Sequence, residues 1–531
     1  MSKERLIDEY LAVYFRFYPV QATARGYPGL DDAVPSFDLE SVSTLRRAVG
    51  RFREALADVS EPRQGTDDHL DFRSLRDELT MALFFIDDLK WLERNPLTYV
   101  ETALDGVEGL DLRQDLSPKA RARCQARRLE GIASLMGQLE RQVTEPAEPY
   151  LEAALDMLEG GVAGLAERFA GRQTPQDLRK ASDRARRALD GAFNHLERRR
   201  GEARPFEAMG EERYCWLLEQ EHHLDRPLET LKRLAEATLA RVEEDLPGVI
   251  AQEDALDMPE PSPSFGKQDV LAYYRSEIDA MKAAVVERGL VTIPPGTLEL
   301  RETPEYQLAL LPGASYQPPP AFAAVPHGYF FVRPVPERMT RKIRRGYHRQ
   351  VFLRSFRNLV IHEVYPGHHV QFLHAARHHS RIRKIRDNDL LVEGWALYCE
   401  QMMHDEGLFD ELPSSRPLRA LRMRAIRVIV DIALHTGRLT PAQVADFMCD
   451  HFGEDARGWI EMEVRRYAAE PTQALSYLIG RELVFELREE FREAVGPRRF
   501  TLRDFHDRFL SEGSIPIALV REKLLAGARA S

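Results

Sequence analysis

The stretch FRSLRDELTMALFFIDDL, residues 72–89, spaces its apolar side chains three or four positions apart. Six of them fall on one face of an α-helix: Phe72, Leu75, Leu79, Leu83, Ile86 and Leu89. The same spacing recurs further along the chain in a second set: Leu151, Leu155, Leu158, Val162 and Leu165. This periodicity, repeated between turn signals, predicts that the first half of the chain consists of long antiparallel helices.

The composition changes after a proline-rich break at residues 259–263. Residues 289–336 hold ten prolines, and three short β-prone pieces lie among them: 290–293, 297–301 and 329–332. We therefore expect a mostly α-helical, elongated body with a small β-sheet near residues 289–336. The break separates an N-terminal helical region, 1–258, from a catalytic metal-binding region, 259–531, unless the two form one continuous body.

Composition limits the classes of function. The chain has 531 residues, of which 44% are hydrophobic and 30% charged, and its net charge is -11. This acidic balance disfavours a nucleic-acid partner. The sequence shows neither a signal peptide nor a run of about 18 apolar residues, so we expect no membrane partner. Four cysteines without a CxxC pair fit reduced thiols in a cytoplasmic protein.

The stretch NLVIHEVYPGHHVQ, residues 358–371, carries the clearest chemical signal. His362 and Glu363 begin like the zinc motif HExxH, in which two histidines one helical turn apart bind the metal and the glutamate polarises a water molecule. Here the position four residues after His362 is Pro366, whose side chain cannot bind a metal. The next histidines along the chain are His368 and His369.

Helical geometry separates these two histidines only in part. In an unbroken helix His369 lies about 20° from the face of His362, while His368 lies about 120° away, which favours His369. However, Pro366 removes a helical hydrogen bond and Gly367 relaxes the backbone, so we do not expect a regular helix. A locally unwound turn would bring His368 to the second ligand position, and the residues alone leave both histidines open.

The third ligand is predicted in the stretch LVEGWALYCE, residues 391–400, which has the pattern of a helix. Zinc enzymes with a glutamate ligand commonly take it from a later helix, and Glu393 is suitably placed. Glu400 lies two turns further on the same face and could orient a ligand histidine. Such ligands with an open position suit one zinc ion per chain best, although manganese, cobalt and iron are tolerated. Three later histidines are expected to face solvent: His374, His378 and His379.

Several segments together resemble the bacterial family known as domain of unknown function 885. They are HEVYPGHHVQ (362–371), VEGWALYCE (392–400), RY (466–467), PTQALSYLIG (471–480), YPVQATARG (18–26) and ASYQPP (314–319). That family is similar to helical Glu-zincin metallopeptidases such as carboxypeptidase Taq and thimet oligopeptidase, so the resemblance implies a zincin-like helical body. Setting Gly367 and His368 against the Gly-His of those enzymes implies two inserted residues and makes His368 the second ligand, with His369 as the alternative.

The resemblance also implies an activity, which is zinc-dependent hydrolysis of amide bonds in peptides or small peptide-like substrates. Glu363 would be the general base, and Tyr477 would donate a hydrogen bond to the oxyanion. Arg466 and Arg481 could pair with a substrate carboxylate, because the guanidinium group offers a planar fork. Tyr316 is a weaker candidate for a substrate contact. In similar peptidases an edge strand pairs with the substrate backbone. Residues 329–332 are a candidate for such an edge, although a purely structural strand is the favoured interpretation.

Two other functions fit the same residues. One is a metal-dependent amidase that acts on a specialised metabolite, which only substrate profiling would discriminate. The other is a non-catalytic interaction protein on a peptidase-like scaffold, against which the presence of Glu363 argues. The sequence predicts neither the substrate, nor the end from which a peptide would be cut, nor the oligomeric state.

Overall fold

A computed structural model of the chain is predominantly helical and carries one small sheet, as the sequence predicts. The structure describes residues 3–171, 174–304, 308, 313–408 and 412–530. The helices before the sheet are α1 (Lys3–Phe17), α2 (Pro19–Arg25), α3 (Leu39–Ala57), α4 (Asp67–Leu83), α5 (Trp91–Arg94), α6 (Leu97–Glu108), α7 (Pro118–Gln142), α8 (Glu148–Phe169), α9 (Gln176–Arg198), α10 (Glu211–His222), α11 (Leu228–Asp254) and α12 (Lys267–Glu287).

The sheet and the C-terminal helices follow. The strands are β1 (Thr297–Glu302), β2 (Ser315–Gln317) and β3 (His327–Val332). The remaining helices are α13 (Arg341–Phe352), α14 (Arg357–Glu363), α15 (His368–Arg377), α16 (Asp389–Asp405), α17 (Arg416–His435), α18 (Pro441–Phe452), α19 (Arg457–Ala469), α20 (Gln473–Val495), α21 (Leu502–Ser511) and α22 (Ile517–Ala530).

Helix α4 and the turn that follows it contain the apolar stretch at residues 72–89. The helix begins after Thr66, whose hydroxyl oxygen accepts a hydrogen bond from the N–H of His69 and so satisfies one free donor of the first turn. A π-helical turn, Phe84–Asp88, continues it. The side chains buried on its inner face include Phe72, Leu75 and Leu79. The predicted apolar face is therefore the face that packs into the core.

The buried side chains form two main clusters. One joins helices α1 to α9, and the other extends from α10 to α22. Helix α11 precedes residue 258 and α12 follows it, yet both contribute to the second cluster. The division at residue 258 stays a prediction, with helices on both sides of it sharing one core. Among the helices that the structure describes, none has the length and apolar character needed to cross a bilayer.

The three strands form one sheet in the order β1, β3, β2. Strand β1 pairs in parallel with β3, and β2 pairs with β3 in the antiparallel direction, placing Tyr316 opposite Phe330. The prediction that residues 329–332 form an edge is therefore wrong, because β3 has a neighbouring strand on each side. The edges are β1 and β2. Within the predicted sheet region, residues 305–307 and 309–312 lie outside the described part of the chain.

The strand predicted at residues 290–293 does not form. The N–H of Leu290 donates to the carbonyl of Val285 at the end of α12, and its carbonyl lies 2.7 Å from Nδ1 of His506. The N–H of Thr292 donates to the carboxylate of Asp507 at 2.8 Å. Because a helix end and side chains satisfy these backbone groups, the segment needs no partner strand. The sequence does not predict β2, because its three residues lie among prolines with little β signal.

Candidate metal centre

The helix that carries His362 breaks where the sequence predicts. Helix α14 stops one residue beyond His362, and α15 begins at His368 after a tight loop. Within this loop Gly367 donates its N–H to the carbonyl of Ile361 at 3.0 Å. A Cβ atom on Gly367 would lie 1.8 Å from the carbonyl oxygen of His362, so no other residue fits the loop as folded. The loop brings the ring of His368 to 4.9 Å from the ring of His362, centroid to centroid.

The three predicted metal ligands converge on one point. The Nε2 atoms of His362 and His368 lie 3.3 and 3.5 Å from the same oxygen, Oε2 of Glu393, which α16 supplies. One ligand atom from each of the three residues lies within 4.8 Å of the others. The Glu393 oxygen is buried and forms no hydrogen bond with any described residue. Three ligand atoms that face one another without hydrogen bonding are the arrangement that a metal ion requires.

The other nitrogen of each histidine is held by the protein. Nδ1 of His362 donates to Oε1 of Glu400 at 2.7 Å, and the second oxygen of Glu400 accepts from the amide of Asn358 at 2.6 Å. Nδ1 of His368 lies 3.3 Å from Oε1 of Gln371, which is an acceptor. These contacts orient both rings so that each Nε2 atom faces Glu393. Such partners are typical of histidines that bind metals.

Electrostatics favour an ionised Glu400 beneath the site. Burial alone would raise the pKa of Glu400, but Arg424, whose guanidinium lies 3.5 Å away, and the hydrogen bond from His362 hold it below the ordinary value. Burial also disfavours a charged His362, yet the neighbouring carboxylates of Glu393 and Glu400 outweigh it and raise the pKa of His362 to about 10. Without a metal, His362 therefore carries a proton that a bound cation would displace.

Glu363, the predicted general base, lies beside the ligands and is only 7% exposed. Burial raises the pKa of its carboxyl above the ordinary value, while the neighbouring His362 and His368 act in the opposite direction. A carboxyl that is easily protonated, next to a metal site, can accept a proton and then pass it on. Its position and its surroundings are both suited to proton transfer.

His369 does not join the ligand cluster. Its Nδ1 lies 2.8 Å from the hydroxyl oxygen of Tyr316, while its Nε2 is buried without a partner among the described residues. Burial lowers the pKa of His369 to about 3, and the positive charge of Lys282 acts in the same direction, so the ring is neutral. Helix α15 starts anew at His368, so His362 and His369 do not share the unbroken helix that would favour His369 as a ligand.

Tyr477 lies over the cluster from helix α20. Its ring stacks on that of His362, with the centroids 6.4 Å apart and the planes at 18°. The amide nitrogen of Gln473 donates to its hydroxyl oxygen at 3.2 Å, and Arg466 fixes the orientation of that amide by donating to its oxygen at 3.0 Å. Because the Tyr477 oxygen accepts this bond, its own hydrogen is available for another acceptor. Burial, assisted by the charge of Glu393, raises the pKa of Tyr477 to about 12.

The two arginines predicted to bind a substrate carboxylate are engaged elsewhere. Arg466 pairs with Glu463 at 3.0 Å and holds Gln473, so it acts on Tyr477 from behind. Arg481 pairs with Glu482 and lines a cavity of about 1170 Å³ whose wall also includes Glu400. Arg466 therefore contacts Tyr477 through Gln473, and Arg481 lies in the wall of that cavity.

Two glycines bring the ligand helix and the tyrosine helix together. Gly394 on α16 and Gly480 on α20 face each other, and a Cβ on Gly480 would lie 2.0 Å from the carbonyl oxygen of Leu390. This close crossing lets the two helices carry Glu393 and Tyr477 into the same site. In the sequence, a glycine inside each of these two helical stretches could have indicated the close crossing. In α16 that glycine directly follows the candidate ligand Glu393.

A second group of potential ligands consists of Asp67, His378 and Glu512. The guanidinium of Arg383 lies between them, 3.0 Å from Asp67 and 2.8 Å from Glu512, and 3.1 Å from Nε2 of His378. Lys523 bonds to both carboxylates as well. The positive charges of Arg383 and Lys523 thus take the place that a metal ion would have between these three side chains. The expectation that His378 faces solvent is wrong, because it is buried against Arg383.

Four residues of the site have contacts that the sequence alone did not predict. Three of them lie within the quoted motifs: Asn358, Gln371 and Gln473. Each has an amide side chain near a candidate ligand or hydroxyl group in the sequence, and this proximity could have indicated a positioning role. Arg424 lies in none of them, and its contact with Glu400 joins helices α16 and α17. Nothing in the local sequence around Arg424 indicates that contact.

Comparisons with known proteins agree with this fold. A solved structure described as a "putative lipoprotein of unknown function" from Shewanella oneidensis superposes with a TM-score of 0.74 at 21% identity, covering 98% of this chain and 99% of that one. A "putative lipoprotein" from Colwellia psychrerythraea has a TM-score of 0.77 at 18% identity, covering 100% and 99%. At these identities the likeness shows a shared fold alone. No curated protein matches the sequence.

A family model, by contrast, matches the sequence itself. It is described as bacterial protein of unknown function (DUF885), and the match covers residues 19–524. The matched residues include all three predicted ligands as well as Glu363 and Tyr477. As the motifs predict, the chain belongs to this bacterial family, DUF885.

Proposed function

We propose that this protein is a metal-dependent hydrolase that cleaves amide bonds in peptides or small peptide-like substrates, with zinc bound by His362, His368 and Glu393. The observation that carries the proposal is the convergence of their ligand atoms within 4.8 Å of one another. Two nitrogens and one carboxylate oxygen are a ligand set typical of catalytic zinc, which leaves a coordination position open.

The surroundings of the ligands support the fit. Both histidines have their Nδ1 atoms bound by an acceptor, and the Glu393 side chain is 17% exposed while the histidines are 8–9% exposed. The ligands are therefore largely enclosed, with the carboxylate reaching furthest toward solvent. When bound, zinc in such a site lowers the pKa of a coordinated water toward about 7 and polarises a carbonyl group.

The residues of the chain then have distinct tasks. As the oxygen of the attacking water bonds to the carbonyl carbon, Glu363 takes a proton from that water. When the C–N bond breaks, Glu363 passes the proton to the leaving nitrogen. Tyr477 donates its free hydroxyl hydrogen to the oxygen of the carbonyl, where negative charge develops. Gln473 and Arg466 hold Tyr477 in place for this step.

Similarity to helical Glu-zincin peptidases is the basis for the substrate class. The sheet supports it, because β2 is an edge strand and its Tyr316 contacts His369, next to the proposed ligand His368. An extended peptide could add to the outer edge of β2 beside the metal. This would bring a backbone amide to the site without the need for a deep pocket.

The proposal is tested with a tryptic digest of casein supplemented with dipeptides and N-acyl amino acids, incubated with zinc-loaded protein and followed by mass spectrometry. We expect new products with wild type and none with Glu363→Gln, while both proteins bind zinc equally, because the substitution removes the base and keeps the ligands. Products formed equally by both proteins would contradict the role of Glu363. No products with zinc-, cobalt- or manganese-loaded wild type would contradict the proposed substrate class.

The cellular location stays a prediction. The sequence indicates a cytoplasmic protein, whereas two solved proteins of similar fold are described as a "putative lipoprotein", which supports the cell envelope as the alternative. Fractionation of cells that express the natural gene, with the protein detected by antibody, separates the two. Recovery with the soluble cytoplasmic fraction would support the first location, and recovery with the envelope the second.

A further inference from the structure

The buried His369 and the half-buried Tyr316 form a pair that the proposed mechanism does not use. The hydroxyl oxygen of Tyr316 lies 2.8 Å from Nδ1 of His369, across 53 positions of the chain. His369 has no exposed surface. Its second nitrogen, Nε2, is buried and finds no partner among the residues that the structure describes. A fully enclosed histidine with one nitrogen unpaired requires an explanation.

The unpaired nitrogen indicates which tautomer is present. A neutral imidazole carries one N–H, on either Nε2 or Nδ1. With the hydrogen on Nε2, a buried donor would have no acceptor within the described part of the chain, and such donors are rarer in proteins than unpaired acceptors. With the hydrogen on Nδ1, His369 donates to the oxygen of Tyr316, and only a lone pair is left unpaired. The second tautomer is therefore favoured.

This assignment fixes what the tyrosine can do. Because its oxygen accepts from His369, the hydroxyl hydrogen of Tyr316 must point to another acceptor. Burial, with the negative charge of Glu363, raises the pKa of the Tyr316 phenol well above its usual range, so it keeps this hydrogen. Tyr316 is thus a donor whose surroundings include the proposed general base.

The side chain of Tyr316 packs against strand β3 and against helix α15. Strand β3 carries Gly328 beneath it, where a Cβ would lie 2.2 Å from the hydroxyl oxygen of Tyr316. The ring of Phe372 stacks on that of Tyr316, with centroids 6.2 Å apart, and the same Phe372 ring lies 6.2 Å from the ring of His368. The Phe372 ring thus lies next to both Tyr316 and the proposed ligand His368, whereas Tyr477 stacks on His362.

We propose that Tyr316 is a second catalytic hydrogen-bond donor to the oxygen of the scissile carbonyl, and that His369 is its positioning residue. This inference rests on the proposed function and deepens it, since the developing oxyanion would be held from two sides. The absence of His369 from the ligand set then has a reason, because its Nδ1–H directs the tyrosine hydroxyl. A hydrogen bond from Tyr316 to the charged oxygen would stabilise the transition state more than a bond to a neutral carbonyl oxygen.

Cobalt-substituted protein tests the pair without a substrate. Acetohydroxamate, titrated by its effect on the visible cobalt spectrum, offers a metal-bound oxygen for the tyrosine, and 2-mercaptoethanol offers a thiolate that needs no such donor. We expect Tyr316→Phe to weaken hydroxamate binding by about tenfold or more, the loss of one hydrogen bond to a charged group. Binding of 2-mercaptoethanol should be unchanged.

The histidine is tested with two variants. His369→Asn places an amide N–H near the position of Nδ1 and should retain hydroxamate affinity, whereas His369→Leu removes the donor and should match Tyr316→Phe. Wild-type hydroxamate affinity in Tyr316→Phe, or equal affinities in the Asn and Leu variants, would overturn the inference. Failure of wild type to bind cobalt would instead contradict the proposed function, and the inference would fall with it.

Discussion

Glu400 accepts a hydrogen bond from Nδ1 of His362 at 2.7 Å, and this contact turns the other ring nitrogen toward Glu393. The carboxylate is held in turn by Asn358 on α14 and by Arg424 on α17. Three helices thus determine the direction of one imidazole. A ligand fixed in this way loses little freedom when a metal binds, which favours affinity.

Removing this support should weaken the metal site without abolishing it. Glu400→Ala frees the His362 ring and leaves Arg424 without its carboxylate, so we expect metal affinity to fall by about 10- to 100-fold. Competition for zinc against a chromophoric chelator measures the change. Glu482→Ala, a substitution on the wall of the same cavity that touches no ligand, is the matched control. Equal affinity in wild type and Glu400→Ala would contradict this role.

Tyr477 should affect the rate of the chemical step and not metal binding. Tyr477→Phe removes only the hydroxyl group, and we expect kcat to fall by about 10²- to 10³-fold with zinc content and KM unchanged. Gln473→Ala, which frees the hydroxyl without deleting it, should have a smaller effect in the same direction. Steady-state kinetics on whichever peptide wild type cleaves measures both. A kcat for Tyr477→Phe close to that of wild type would exclude Tyr477 as the oxyanion donor.

The crossing of α16 and α20 should be intolerant of any side chain. Gly480→Ala places a Cβ 2.0 Å from the carbonyl of Leu390, so the two helices must separate. We expect a loss of about 3 kcal/mol or more in the free energy of unfolding, measured with urea. Gly191→Ala in α9 is the control, because nothing lies within 4 Å of its Cβ position. That change should stabilise the helix by up to about 1 kcal/mol; similar losses in both variants would argue against the close crossing.

Buried neutral histidines should make the protein sensitive to mild acid. His506 donates to the carbonyl of Leu290, its Nε2 lies 2.8 Å from the hydroxyl of Tyr398, and burial lowers its pKa to about 4. The unfolded chain takes up this proton near pH 6.5, so stability falls as the pH drops from about 6.5 to 4. Over that range His506 alone accounts for about 3 kcal/mol.

The contribution of His506 can be isolated by comparing urea unfolding at pH 7 and pH 4.5. His506→Gln should be less stable than wild type at pH 7 but should lose less stability on acidification. His379→Gln, an exposed position, is the control and should follow wild type at both values of pH. The same loss on acidification in wild type and His506→Gln would show that His506 does not hold a depressed pKa.

Local sequence patterns predicted much of the fold and identified most residues of the candidate site. The helical periodicity at residues 72–89 reflects burial of one face, which the sequence displays directly. The loop between His362 and His368 followed from Pro366 and Gly367, residues whose backbone limits are known without a structure. Glu393 and Glu400 were identifiable because two helical turns place them on one face.

What could not be predicted depends on contacts between distant segments. His369 meets Tyr316, and Arg424 meets Glu400, across elements that no local pattern joins. The edge of the sheet was assigned to the wrong strand, because strand order depends on how residues 315–317 fold back on β3. The ion pair of Arg481 with Glu482 and its place in the cavity wall were likewise not indicated by the local sequence, and its contact with a substrate stays a prediction. Chemical type predicts what a side chain can bind, and packing decides what it reaches.

Metal analysis of wild type, His368→Ala and His369→Ala, each purified and equilibrated with zinc, tests the metal centre most directly. We predict about one zinc per chain in wild type and in His369→Ala, since a single three-ligand site holds one ion, and a strong loss in His368→Ala. Loss of zinc in His369→Ala and not in His368→Ala would contradict the ligand set. The absence of any bound metal in wild type, after incubation with zinc and other divalent ions, would contradict the metal-dependent mechanism as a whole.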